Sequence, residues 1–388
     1  MGEYIYDQTD WPRFHWNHEG LASHFAAVRH QQGRLIGHME ALGFPLRREA
    51  VLRTLTQDVI ESSGIEGERL DAQQVRSSIA RRLGMDIAGL QAVDRNVEGI
   101  VEMMLDATGH YDQPLTAERL FSWHASLFPT GRSGMAKIKA GAWRDDAAGP
   151  MQVVSGPLGR ERVHFEAPAA ARLAREIPAF LDCFNTPSGD DVLNAGLAHL
   201  WFVTIHPFDD GNGRIARAIA DMALARSEHS PQRFYSMSAQ IRREHNAYYE
   251  ILERTQNGAM DITPWMDWFL GCLGRAIEGA QATLAAVLSK ARFWEAVASA
   301  PVNQRQRLVL NRLFDGFEGN LTTSKWAELA KCSQDTALRD ILGLVGRGVL
   351  VRNPAGGRST SYTLEPSIST APAGSACDRA PEATLSDL

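Results

Sequence analysis

The stretch Ile205-His206-Pro207-Phe208-Asp209-Asp210-Gly211-Asn212-Gly213-Arg214-Ile215-Ala216-Arg217 constrains this chain more than any other. Apolar residues at helical spacing lead into it over about 190–205, and proline disfavours helix at the residue before it, so the chain turns at His206. A second helix starts near Gly213, with Ile215, Ala218, Ile219 and Met222 on one face. Gly211, Asn212 and Gly213 allow a tight turn that presents backbone N–H groups, and the helix behind it adds the positive end of its dipole. Phosphate is the natural guest of such a hole. Arg214 and Arg217, one helical turn apart, project from the same side and suit a triphosphate better than a single phosphate. Asp210 can hold a hard cation such as Mg²⁺, and His206 has the side chain for general-base work near neutral pH.

Elsewhere the pattern is mostly helical. With 388 residues the chain suggests two or three packed units, and 44% hydrophobic with 22% charged residues rules out disorder throughout. Residues 1–46 open with the aromatic stretch 11–16 and continue as a helix through Leu21, Val28, Leu35 and Met39, a small N-terminal helical region. Gly43-Phe44-Pro45 breaks the pattern, 46–60 resumes it, and that helix ends at 62–67. Helices follow at about 73–84, 92–107 and 117–127, the last with Thr116 as its N-cap. Glycines and prolines over 141–168 punctuate two extended runs, 151–154 and 162–165, which read as a β-hairpin. Helices return at about 168–184, 190–205, 239–256 and 263–288. From 290 the order changes to helical stretches at 292–315, 322–331 and 334–346, then two short strands, 347–352 and 361–364, around a glycine-rich loop. This is the order of a helix-turn-helix with a wing. Residues 367–388, rich in Ser, Ala and Pro, are expected to be a disordered tail.

Charge and cysteine exclude several classes. Net charge −6 argues against non-specific coating of nucleic acid. Cys183, Cys272, Cys332 and Cys377 form no CxxC pair and no zinc-ligand spacing. Acidic residues stand where a signal peptide needs basic ones, and no apolar run approaches a membrane span, so a cytoplasmic protein with no membrane partner is expected.

The segment from His206 to Arg217 matches H-P-F-x-[D/E]-G-N-G-R-x-x-R at all nine specified positions, and by it the chain resembles the Fic family. The resemblance implies a mainly α fold with a β-hairpin flap, the likeness covering roughly 90–280. It places a catalytic domain at 47–288, with an inhibitory helix at about 47–67 and a flap at about 150–166, followed by a winged helix-turn-helix domain at 289–366. It implies transfer of AMP from ATP to Ser, Thr or Tyr hydroxyls of target proteins. His206 would deprotonate the hydroxyl, Asp210 would place Mg²⁺ across the α- and β-phosphates, and Gly211, Asn212 and Gly213 would cradle the phosphates. Arg214 would neutralise charge on the leaving side and Arg217 would hold the γ-phosphate. Tyr248 and Tyr249 fall where relatives build the nucleoside pocket, and the flap residues Val163 and His164 where relatives receive the target peptide.

Ser62, Glu66 and Gly67 match the inhibitory pattern [S/T]-x-x-x-E-[G/N], so Glu66 would pair with Arg217 and obstruct ATP. In some Fic proteins the same glutamate aligns a water that removes AMP, which adds a reverse activity to the expectations. Self-modification and homo-oligomers belong to them as well. Two alternatives stay open: a family member carrying another phosphate-containing group, or a DNA-binding regulator acting through the winged helix. For the latter, 301–365 holds nine Lys/Arg against six Asp/Glu, yet 334–340 offers two aspartates and one arginine, a poor surface for phosphates.

Overall fold

Apolar residues at three- and four-residue spacing fold the chain into helices whose ends are set by local hydrogen bonds. The structure is a computed structural model that describes residues 4–85, 90–147, 149–156, 160, 162–186, 189–298, 301–314, 317, 319–353 and 360–365, with 282–283 described in backbone only. It divides into two compact units, 1–284 and 285–388.

The first unit opens with α1 (His18–Glu40), capped by the Asn17 side chain, and α2 (Phe44–Ile65). Pro45 lies in the first turn of α2, where its missing N–H costs nothing, so Gly43-Phe44-Pro45 starts a helix as well as ending one. That helix ends at Ile65, within the expected 62–67, and carries Ser62 and Ser63 into the core. Next come α3 (Ala72–Arg82), α4 (Arg95–Gly109) and α5 (Ala117–Leu127), with Thr116 capping α5 as expected through the Arg119 N–H. A small hairpin, β1 (Arg132–Ser133) with β2 (Ala136–Lys137), was not legible in the sequence.

The expected flap is present as antiparallel β3 (Gln152–Ser155) and β4 (Arg162–Glu166), with an irregularity between Val153 and Val154. Its tip at 157–159 and 161 lies outside the described residues. After a 3₁₀ turn at Ala170–Arg172 come α6 (Leu173–Asn185), α7 (Asp191–Ile205) and α8 (Asn212–Glu228). The last two are buried on nearly every side and form the centre of the unit, as helices apolar all round must. The helix expected at 239–256 is two, α9 (Met237–Arg243) and α10 (His245–Gln256), separated at Glu244. Last is α11 (Thr263–Ala296), longer than expected.

The N-terminal residues pack behind the flap. Tyr4 and Tyr6 meet Phe165 edge-on at 5.2 and 6.0 Å, and the Tyr6 hydroxyl donates to the Glu166 carbonyl at 2.8 Å.

The second unit contains α12 (Gln304–Phe314), β5 (Leu321–Thr322), α13 (Thr323–Ala330), α14 (Gln334–Gly346), β6 (Leu350–Arg352) and β7 (Ser361–Leu364). The expected helix over 292–315 is thus two helices, the end of α11 and α12, and β5 is an extra strand. The strands form one antiparallel sheet in the order β5-β7-β6 around Phe293, Val309, Leu310, Trp326, Ile341 and Leu350. The glycine-rich loop 354–357 and the tail 367–388 lie outside the described residues. Among the described residues no helix is long and apolar enough to cross a membrane.

Candidate active site

The turn between α7 and α8 is built as its residue types require. His206 ends α7 with φ +51°, a left-handed conformation costly for a residue with a Cβ. Arg144, its side chain fully buried, holds it there: Nε donates to the His206 carbonyl at 2.7 Å, while the Arg144 backbone N–H donates to the Pro207 carbonyl at 3.0 Å. The His206 ring meets the Val203 carbonyl through Nδ1 at 3.2 Å, which leaves Nε2 for other work. Burial pulls its pKa below the usual imidazole value; Arg144 adds to that, and the Val203 carbonyl, Glu66 and Asp210 oppose it.

Asn212 bridges the loop, its side chain donating to the Phe208 carbonyl at 2.8 Å and accepting the Phe208 N–H at 3.0 Å. Gly211 caps α8 at φ +79°, in the left-handed region. The Asp210 carboxylate accepts the Gly211 N–H at 2.5 Å and the Ser133 hydroxyl. His124, fully buried and stacked on Phe208 at 4.2 Å, accepts the Gly141 N–H on Nδ1. Its Nε2–H therefore donates to the Asp210 carbonyl, 3.1 Å away. Burial lowers the His124 pKa to about 4, so the ring stays neutral and keeps both bonds.

The two arginines already have anions. Arg217 is 2% exposed; Nε donates to Ser62 Oγ at 2.9 Å, and Nη2 donates to the Ser62 carbonyl at 2.9 Å and to Glu66 Oε1 at 2.8 Å. Burial alone would lower the Arg217 pKa, but the Glu66 carboxylate, with Tyr248 and Tyr249, more than reverses this and raises it. Glu66 also lies over the first turn of α8: a Cβ on Gly213 would stand 2.3 Å from Oε1. The glutamate thus occupies the end of the helix where an anion is favoured. Arg214 lies over the Phe128 ring at 5.0 Å and donates to Glu68 Oε2 at 2.7 Å, a partner the sequence reading did not anticipate.

A cavity of about 660 Å³ opens beside this turn and touches Glu66, His206, Gly213, Tyr248, Tyr249 and the flap residue His164. Tyr248 is a core residue with one face on the cavity, its hydroxyl 2.9 Å from His199 Nε2. Tyr249 is half-buried, and burial pushes its pKa up to about 12. Val163 is exposed and does not line the cavity. Glu253 on α10 fastens the flap, accepting from Arg162 at 2.6 Å and meeting His164 Nδ1 at 2.7 Å. A larger cavity of about 1110 Å³, lined by Phe44, Arg48 and Trp123 among others, contains none of the residues singled out from the sequence.

His206, Asp210, the Gly211–Gly213 turn, Arg214, Arg217, Ser62 and Glu66 are therefore gathered around one helix end. His124, Ser133, Arg144, Glu68 and Glu253 also reach the site, from distant segments with no local spacing in the sequence to mark them. Among the described residues no three His, Cys, Asp or Glu side chains are grouped to hold a metal. The donor set fits an ion such as Mg²⁺, which needs only one or two carboxylates when phosphate oxygens complete its shell.

A phosphate-receptive helix end, a histidine before it and arginines after it define the class. Residues 114–224 match the Fic/DOC family, and they lie within a mostly helical fold. Residues 4–85 match a domain of unknown function, DUF4172. The chain is 25% identical over 232 residues to "Protein adenylyltransferase Fic" of Aedes aegypti, covering 57% of this chain and 41% of that protein. It is 25% identical over 255 residues to the protein of the same name from Drosophila yakuba, covering 60% and 43%. It thus spans less than half the length of these curated relatives. Among solved structures, a Fic family protein from Desulfovibrio desulfuricans shares the fold with a TM-score of 0.50 and 20% identity, over 89% of this chain and 95% of that one. A Fic domain containing signaling protein from Bacteroides thetaiotaomicron also has a TM-score of 0.50, at 19% identity, over 66% and 96%.

Proposed function

We propose that the chain is an autoinhibited protein adenylyltransferase that moves AMP from ATP to Ser, Thr or Tyr hydroxyls. The observation that carries this is the Glu66 carboxylate lying on Arg217 and over the first turn of α8, where a nucleotide phosphate would otherwise sit. The reading also draws on the adenylyltransferase name of the relatives.

His206 Nε2 accepts the proton of the target hydroxyl, whose oxygen attacks the α-phosphorus in line. The bond from that phosphorus to the bridging oxygen breaks, and pyrophosphate leaves with the electron pair. First-turn N–H groups of α8 together with Arg214 and Arg217 stabilise the charge that builds on the phosphates, which is most of what such a transfer needs. Asp210, held by Ser133 and the Gly211 N–H, would hold Mg²⁺, whose charge would offset that of the phosphates. Tyr248 and Tyr249 suit the nucleoside side of the cavity, and His164 on the flap suits the target side. Removal of AMP by a water set on Glu66 belongs to the same proposal, as do self-modification and association of copies. On α14, Leu338 and Leu342 are 40% and 54% exposed, a face that weighs against DNA as the partner.

Wild-type, Glu66→Gly and Glu66→Gly/His206→Ala proteins incubated with Mg²⁺ and α-labelled ATP test the reading. Label strong only in Glu66→Gly protein is expected. Equal labelling of wild type and Glu66→Gly would sink the inhibition, and undiminished labelling of the double variant would sink the role of His206.

A further inference from the structure

We propose that inhibition here is a two-point latch, with Glu68 holding Arg214 as Glu66 holds Arg217. This rests on the reading of the two arginines as phosphate ligands, and it adds a residue outside the motif that first pointed to inhibition.

The end of α2 is shaped to deliver two carboxylates. Gly67 has φ +81°, and the cap is closed by three backbone bonds: Glu66 N–H to the Ser63 carbonyl at 3.1 Å, Gly67 N–H to Gly64 at 3.2 Å and Glu68 N–H to Ser63 at 3.0 Å. This turn sends Glu66 and Glu68, two residues apart, to arginines three residues apart on α8. The two arginines are 3% and 2% exposed, yet among the described residues no acceptor meets Nε of Arg214 or one terminal nitrogen of Arg217. A buried guanidinium N–H left unpaired is costly, so both groups can take more acceptor oxygens than the latch supplies. A polyphosphate offers them.

The consequence is competition at two places. A ligand with phosphate oxygens for both arginines must displace both carboxylates, and removing Glu66 alone leaves Arg214 occupied. Because both carboxylates hang from one cap, withdrawal of α2 by a single turn would free both together. Glu68 is half exposed and its ion pair is weaker than a buried one, so its separate effect is modest, about fivefold in affinity.

The test measures binding of inorganic tripolyphosphate, ATP and adenosine to full-length wild-type, Glu66→Gly, Glu68→Gln and doubly substituted protein by calorimetry, with melting temperatures to verify folding. Glu68→Gln is expected to tighten tripolyphosphate and ATP about fivefold, the double variant to bind tighter than Glu66→Gly, and adenosine to be unaffected. Glu68→Ala serves if the glutamine variant melts early. Affinities equal to wild type in Glu68→Gln, with the double variant equal to Glu66→Gly, overturn the latch. If tripolyphosphate tightens while no variant transfers label from ATP, the latch stands and the transferase reading fails.

Discussion

His206 is held in a strained left-handed conformation by Arg144, and its ring is kept short of charge by burial. A base must be neutral, and a lowered pKa keeps it so further into acid. In Glu66→Gly protein, the rate of label transfer should therefore fall with an acid limb centred below about 6.5, the ordinary imidazole value. Loss of Glu66 moves it further down, because that carboxylate raises the pKa. An acid limb centred above that value contradicts the assignment. Ser62 is the other residue whose chemistry is exposed by its burial: it is fully enclosed, and its hydroxyl accepts from Arg217 Nε. Ser62→Ala leaves that N–H without a partner and should lower unfolding free energy by about 1–3 kcal/mol, read from urea titration. A change below about 0.3 kcal/mol would mean that the hydroxyl is dispensable.

At the level of elements, the flap is held from two sides, by Glu253 through Arg162 and His164, and by Tyr6 through the Glu166 carbonyl. Residues 1–46 thus do more than cover the core, since the aromatic ring of Tyr6 and the ring of Tyr4 form the rear wall of β4. Tyr6→Phe should raise amide hydrogen exchange over 162–166 and leave α7 and α8 unchanged; uniform change across the unit, or none, contradicts the brace. The helices of the site were legible because proline after His206, glycines at 211 and 213 and apolar spacing act locally. What the sequence concealed is long-range: His124 reads as one more residue of an amphipathic helix, and Arg144 as one charge in a loop, until folding sets them on the carbonyls of Asp210 and His206. Glu68 was hidden for a different reason, because its meaning depends on the left-handed Gly67 before it. Boundaries also slipped at Pro45, which lies inside the first turn of α2, and at Glu244, where α9 gives way to α10.

At the scale of the whole molecule, the first unit handles phosphate in the proposed reaction and the second is not expected to coat nucleic acid. Exposed Leu338 and Leu342 on α14, within a chain of net charge −6, predict that binding of the full-length protein to duplex DNA is weak and nearly independent of salt between about 50 and 200 mM. A loss of affinity by orders of magnitude over that range would favour the regulator. The central claim is that the α-phosphoryl group, with its nucleoside, moves to protein once the glutamate is gone. The most direct measurement gives Glu66→Gly protein ATP labelled at either the α- or the γ-phosphate and follows both the protein and the released pyrophosphate. Label on protein from the α position only, matched by pyrophosphate release and abolished by His206→Ala, is the predicted result. Label carried from the γ position, or protein that stays unlabelled while ATP is bound, would contradict it.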